Sequence, residues 1–401
     1  MINKVRCLVP FTLVQFGTYG IVRTCCEGWN RIGPIGNLNF TKDFKQIWNS
    51  GAIKMLRQAA IEDKLELTCN KERCPYLLSG NYIDLDQIIP ENRNHAQIIK
   101  QIKEGIVDLN TGPLYANMGE SGRCNLSCRM CMANSGVTVT SKRLSKRVYQ
   151  DFLPNLLPSL SRIVLAGNGE VFFRKDTMKL LKDSSLSKQY PDLRVEIISN
   201  GVLFNENLWE SIKHNSFSEI SISIDAANED TYRKLRTGGN WKKLMDGLGL
   251  ISDLRQKGYF ENLVITFLVL KSNFTQMKDF ILLGEKLKCD QVRFQRPLGY
   301  MDVKENYVVT KNLAVMSEIA KMLDNPIFER SYVNYDLLKP FKKYSGIRIT
   351  KFHIVRTWVL SLVLDYPMKL QYRIRRFFYP LFPAMSETIS WFKRGKVRFF
   401  K

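Results

Sequence analysis

The sequence predicts an α/β fold built on a parallel sheet, and three observations carry that expectation. Between residues 113 and 300, six short apolar or alternating runs are separated by segments whose apolar residues recur three and four apart. Strand–helix alternation of this kind produces βα units and parallel strand pairing. The 401 residues are 45% hydrophobic and 24% charged, an ordinary globular composition. That composition excludes a wholly disordered chain, a collagen and a polytopic membrane protein. Finally, the nine cysteines are odd in number and three of them fall within eight residues. Such crowding speaks for metal or cluster ligation in a reducing compartment rather than for a disulfide framework.

Taken in chain order, residues 8–22 are uncharged and follow Lys4 and Arg6, which mimics a secretory signal. The run is too short, and too broken by Pro10, Gln15, Gly17 and Gly20, to span a bilayer. Arg23 and two cysteines follow it instead of a small-residue cleavage site, so it reads as a pair of buried strands in a cytoplasmic protein. Residues 1–80 hold five of the cysteines and form the first zone, residues 81–112 link, and residues 113–330 form the second zone. Strand candidates there are Leu114–Met118, Ser161–Ala166, Arg194–Ser199, Glu219–Asp225, Leu263–Leu270 and Gln291–Phe294. Helical patterns cover 141–157, where Leu144, Val148, Phe152 and Leu156 share a face, and also 240–257 and 274–288. Six units are too few for a closed eight-stranded barrel, leaving a partial barrel or an open sheet. In either, ligands sit at the C-terminal ends of the strands.

Cys124, Cys128 and Cys131 give the spacing C-x3-C-x2-C on the loop after the first of these strands. Three thiolates can hold three irons of a [4Fe–4S] cube and leave the fourth iron open. A catalytic zinc with three protein ligands and one open position is the chemical rival. The spacing and its context resemble the radical S-adenosylmethionine (SAM) enzymes. That resemblance implies a partial (βα)6 TIM-like barrel and a cluster whose open iron chelates the amino and carboxylate groups of SAM. One electron then splits the sulfonium, and the 5′-deoxyadenosyl radical so formed abstracts a substrate hydrogen.

The later pieces follow in order. Gly167-Asn168-Gly169-Glu170, after the second strand, looks like the family's Gly-Gly-Glu segment that receives the SAM amino group, with Asn168 a departure. Ser199-Asn200-Gly201 ends the third strand as a turn at the same end of the sheet. The fourth alternates Ile220, Ile222 and Ile224 with Ser221, Ser223 and Asp225. The resemblance places the SAM ribose and carboxylate near Ser223 and Asp225, and makes Arg236 the carboxylate's partner. The fifth strand is apolar enough to flank an adenine, with Val269 as the expected contact and Asn273 just beyond.

Cys7, Cys25, Cys69 and Cys74 remain, with Gly20, Ile47-Trp48-Asn49 and Arg57 between them. This pattern resembles a SPASM or shorter twitch domain, an auxiliary iron–sulfur module. Here it precedes the barrel, and the later cysteines of a two-cluster module are missing, so the resemblance implies one auxiliary cluster on Cys7, Cys25, Cys69 and Cys74. Cys26 competes with Cys25, and a structural zinc on four thiolates is the alternative. Cys289, at the end of a helical pattern, reads as buried packing.

Sixty Lys and Arg against 38 Asp and Glu give a net charge of +22 and an expected attraction to anions. Residues 346–401 are strongly basic and rich in aromatic residues such as Trp358, Phe377, Phe378 and Trp391. They read as basic helices packed on the barrel, as a segment lying on an anionic membrane surface, or, least favoured, as a nucleic-acid binder. The expected activity is net oxidation or modification of a peptide or small molecule. The implied partner is a low-potential electron donor such as flavodoxin or ferredoxin. The alternatives are a radical RNA methyltransferase, which would need a methyl-accepting cysteine such as Cys289, and a zinc-stabilised adaptor.

Overall fold

The computed structural model describes residues 2–26, 28–41, 43–71, 73–131, 142–165, 168–297, 304–308 and 310–346. The basic, aromatic segment of the sequence lies outside the described residues, apart from Gly346. One ten-stranded sheet dominates. Its strands are β1 (Leu13–Phe16), β2 (Ile21–Arg23), β3 (Gly36–Asn37), β4 (Tyr115–Met118) and β5 (Arg162–Leu165). They continue with β6 (Arg194–Ser199), β7 (Phe217–Ser223), β8 (Phe260–Leu268), β9 (Gln291–Gln295) and β10 (Val333–Asn334). The order is β10-β9-β8-β7-β6-β5-β4-β1-β2-β3, an open run rather than a closed ring. The pairings from β10 through to β1 are parallel; β2 and β3 are antiparallel.

The six expected strands are thus β4 to β9. β7 ends before Asp225 because that residue turns to a φ of +62°. β8 ends at Leu268 because the Asn273 side chain accepts from Leu270 N (2.7 Å) and closes a turn. Helices cover the outer sheet face, among them α3 (Lys175–Lys182), α4 (Glu206–Ile212), α5 (Glu229–Leu235), α6 (Trp241–Gln256) and α7 (Met277–Lys286). Ile163, Ile197, Ile220, Ile222, Ile265 and Val292 supply fully buried apolar residues of these strands. Phe267 meets Phe280 of α7 at 4.8 Å and Phe294 of β9 at 5.6 Å. Over residues 141–157 the four-residue apolar face is buried as expected, but Arg147–Phe152 is a π-helical stretch. Pro154 stands two residues beyond its end; it has no N–H to give a regular i→i−4 bond, which favours such a register change.

The N-terminal zone differs from a free-standing cysteine-rich module. β1 runs parallel to β4, with Leu13 opposite Tyr115 and Phe16 opposite Met118, so β1–β3 extend the barrel's own sheet. The segment expected as a linker carries a short strand, Ile83–Asp84, paired with Lys4–Val5, and a helix, α2 (Arg93–Lys103), that buries Ile98 and Ile102. α1 (Gly51–Ile61) packs near the first turn of the chain. Its Arg57 donates to Pro10 O (2.9 Å), Val107 O (2.9 Å) and Asn49 Oδ1 (2.8 Å). Trp48 Nε1 reaches Thr111 O (2.9 Å). Among the described residues, no helix is long and apolar enough to cross a membrane.

Candidate functional site

β4 delivers the chain to the C-terminal edge of the sheet, and the cysteine loop begins six residues later. Two backbone bonds fix it to the end of α5: Ser127 N to Thr237 O (2.8 Å) and Arg129 N to Leu235 O (2.9 Å). Leu126, Met130, Leu235 and Leu270 form an apolar pad with Cys128. Cys128 is buried, Cys124 half-buried and Cys131 exposed, and the residues after Cys131, 132–141, lie outside the described set. Burial pushes the Cys128 thiol up to about 11 and raises that of Cys124. Three donors nevertheless face the sulfurs. Leu126 N lies 3.3 Å and Asn200 Nδ2 3.7 Å from Cys124 Sγ, and Arg236 Nη1 lies 3.9 Å from Cys128 Sγ. Donors aimed at sulfur suit thiolates bound to a cluster, so these residues fit the iron–sulfur group.

Gly167 lies outside the described residues. Asn168 is half-buried, with Nδ2 3.5 Å from Gly119 O. Gly169 has a φ of +105°, and a Cβ there would stand 2.4 Å from Arg123 O and 2.6 Å from Ser121 O. It lets the loop after β5 press against the cysteine loop. Glu170 is buried and inward-turned: Ser199 Oγ (2.7 Å), Asn200 N (2.8 Å) and Phe172 N (3.2 Å) all donate to its carboxylate. Burial raises its pKa against the opposing pull of these donors. Ser199 in turn accepts from Gly201 N (3.0 Å), and Asn200 Nδ2 donates to Asn125 Oδ1 (2.9 Å). Glu170, Ser199 and Asn200 therefore knit the loops after β5 and β6 to the cysteine loop. Asn125 escaped the sequence reading because it lies inside the C-x3-C spacer with no signal of its own.

Asp225 and Arg236 meet each other. Arg236 Nε (2.9 Å) and Nη2 (2.5 Å) both donate to Asp225 Oδ2, Leu268 N donates to Oδ1 (2.8 Å), and Asn273 Nδ2 donates to the Asp225 carbonyl (2.8 Å). Burial disfavours the guanidinium charge, but Asp225 and Cys128 outweigh it and hold its proton more tightly. Arg236 thus offers Nη1, rather than its whole fork, toward the cysteine loop. Ser223 is half-buried and accepts from Thr266 Oγ1 (3.3 Å). Val269 has no exposed surface and belongs to the main core, so it presents nothing to an adenine. Leu268, the last residue of β8, packs against the pad of Leu126, Cys128, Met130, Leu235 and Leu270, as do Cys124 and Val202.

One face of the sheet carries charged pairs. Arg162 Nη1 bonds Glu196 Oε1 (2.7 Å), Arg293 Nη2 lies 3.4 Å from Glu219 Oε2, and Glu196 stands opposite Glu219 in register. The strands' alternation placed a polar row here, but the cross-strand charge pairing needed the register. Cys289 precedes β9, at the strand-start end, and burial pushes its thiol up to about 12.

The remaining thiols gather elsewhere. Cys7, Cys25, Cys69 and Cys74 line one cavity with Val9, Pro10, Thr24, Trp29, Leu56, Leu65 and Tyr76. Cys26 is exposed and does not line it. Burial raises the thiols of Cys7 (to about 12) and Cys25 (to about 11). Asn30 Nδ2 donates to Cys25 Sγ (2.9 Å). Among the described residues, no three His, Cys, Asp or Glu converge closely enough to hold a single metal ion. The four thiols line one cavity, and four cysteines are a donor set that suits an iron–sulfur cluster.

Comparison with known proteins agrees with this arrangement. Residues 121–283 match the Radical SAM superfamily model, and residues 7–75 match SPASM, an iron–sulfur cluster-binding domain. Among curated proteins, GTP 3′,8-cyclase of Lactiplantibacillus plantarum is 28% identical over 170 residues, covering 42% of this chain and 49% of that protein. That of Listeria monocytogenes is 24% identical over 200 residues, covering 48% and 58%. The chain therefore spans about half the length of the curated relatives it matches. Among solved structures, Streptococcus suis SuiB bound to S-adenosylmethionine covers 85% of this chain and 75% of its own at 15% identity, TM-score 0.45. SuiB bound to its precursor peptide SuiA covers 88% and 76% at 13% identity, TM-score 0.45.

Proposed function

We propose, for a chain that joins an N-terminal SPASM domain to a radical SAM domain, reductive cleavage of S-adenosylmethionine followed by hydrogen abstraction from a polar substrate. The observation that carries the reading is the cysteine loop itself: three thiols within eight residues at the C-terminal edge of a parallel sheet, two of whose sulfurs face N–H donors. The cluster and SAM, when bound, supply a one-electron cleavage that yields the 5′-deoxyadenosyl radical.

The protein's part is to hold and orient. Cys124, Cys128 and Cys131 are the three cluster ligands in this reading. Leu126 N–H, Asn200 and Arg236 direct donors at sulfur, which steadies negative charge on the thiolates. Asn168, Gly169 and Glu170 shape the loop beside SAM, and Gly167 belongs to the same segment. Ser199, Asn200 and Ser223 line the approach, while Asp225 fixes Arg236. The adenine contact moves from Val269 to Leu268 with Val202. Cys7, Cys25, Cys69 and Cys74 hold an auxiliary cluster that accepts the substrate's second electron, so the net reaction is an oxidation. A flavodoxin or ferredoxin supplies the first electron.

Arg293, level with Ser223 at the site end of the strands, favours a hydrophilic small molecule or peptide segment. A methyl-accepting cysteine lacks support, because Cys289 sits at the opposite end of the strands from the loop. The test is anaerobic reconstitution, reduction and addition of SAM, with an assay for 5′-deoxyadenosine. Formation that disappears in Cys128→Ala supports the reading. A reduced, brown protein that never cleaves SAM defeats it, and a colourless zinc protein would favour the adaptor.

A further inference from the structure

A second feature lies on the rim, just before the cysteine loop. Ser121, Arg123, Lys142, Ser145, Arg174, Lys175 and Asp176 line an open cavity. They come from three segments: the loop after β4, the helical turn Lys142–Lys146, and the start of α3. Arg123, Lys142 and Lys175 are exposed and pair with no carboxylate among the described residues. Asp176 accepts from Ser145 Oγ. Arg174, nine-tenths or more buried, donates to Met118 O (3.1 Å), Tyr149 OH (2.8 Å) and Glu120. The lining therefore keeps a net positive charge after its acids are counted. Arg174 is also the N-cap of the eight-residue α3 and gives it no side-chain cap, so the first N–H groups of that helix end at the cavity.

We propose that this cavity binds a phosphate group. Cationic side chains on three sides, the Ser121 hydroxyl and an uncapped helix N-terminus match a tetrahedral dianion, which takes several donors at once. A flat acidic protein surface would fit a recess less well. Arg123 immediately precedes Cys124, so the bound group would stand beside the first cysteine of the loop. The inference concerns binding alone and stands whether or not SAM is cleaved.

The test is titration calorimetry on the full chain with inorganic phosphate and, separately, glucose 6-phosphate. Lys142→Glu/Lys175→Glu changes two exposed side chains, so the fold is kept. It is expected to weaken phosphate binding by about tenfold or more. Lys242→Glu/Lys278→Glu, on α6 and α7, removes the same charge elsewhere and is expected to change binding by less than about twofold. Tighter binding of the sugar phosphate would assign the group to an organic ligand; equal binding would assign it to free phosphate. No binding by the unaltered chain, or equal loss in both double variants, overturns the proposal.

Discussion

Arg236 and Asp225 show what a single buried charge pair commits the site to. Asp225 is held by the guanidinium fork on one oxygen and by Leu268 N–H on the other. Arg236→Ala leaves that carboxylate buried without its cation. We expect a loss of about 3–5 kcal/mol in the cluster-free protein by urea denaturation. Arg236→Ala/Asp225→Asn, which removes both charges, should recover most of it. A loss below about 1 kcal/mol in the single variant would mean that water reaches Asp225. Glu170 gives a pH signature. Its pKa is raised, first by burial, while Ser199, the Asn200 and Phe172 N–H groups and the facing Arg236 pull the other way. The stabilisation from its protonated form is complete below the ordinary carboxylate value, about 4.3, and is lost as pH rises through the folded value. Glu170→Gln stays neutral throughout. The difference in thermal midpoint, cluster-free unaltered protein minus this variant, should therefore fall as pH rises above the ordinary carboxylate range. A constant gap would place Glu170 in contact with water. The identities of these residues were legible as motif letters. Their partnership was not, because Asp225 and Arg236 meet only once the chain turns back through α5.

At the scale of elements, the strands read well because alternation reports directly on a two-faced sheet. β6 keeps its expected bounds, whereas β7 ends early where Asp225 takes a positive φ, and β8 where the Asn273 side chain closes a turn. Val269, just past the end of β8, is fully buried in the main core, a placement the sequence hides because apolar residues occupy both faces of β8. The pairing of β1 with β4 was hidden altogether. Neither four-residue strand names its partner, and about a hundred residues separate them. Arg57 carries the consequence at α1. It is fully buried, lies 4.6 Å from the Trp48 ring centroid, and ties α1 to Pro10 and Val107. Pro10 and its neighbour Leu56 also line the four-thiol cavity. Arg57→Leu would strand the buried Pro10 carbonyl and the half-buried Val107 carbonyl, a cost of about 2 kcal/mol or more. Iron bound per chain should then fall toward that of one cluster while SAM cleavage persists. Full iron loading in this variant would show that the cavity keeps its shape without the α1 anchor.

For the whole molecule, the sheet's continuity decides what can be cut. A reading by composition divides the chain near residues 80 and 112. The structure joins these parts through β1–β4 pairing, through Trp48 and Asn49 to Thr111 and Leu109, and through Asn94 to Gly112 and Ser159. A fragment of residues 113–346 would keep every strand from β4 to β10 yet lose β1. The N–H and C=O groups of β4 that face β1 would become an open edge, a template for pairing with other chains. Ala116 and Met118, fully buried in the full chain, lie on that edge strand, and Leu114, equally buried, directly precedes it. We therefore expect the fragment to aggregate when expressed, and residues 1–346 to remain soluble and to unfold cooperatively. The measurement is soluble yield followed by size-exclusion chromatography and thermal denaturation of both. A monomeric 113–346 fragment with a cooperative transition would restore the division into independent domains. It would also mean that the barrel half closes its own edge, and that the β1–β4 pairing contributes attachment rather than fold.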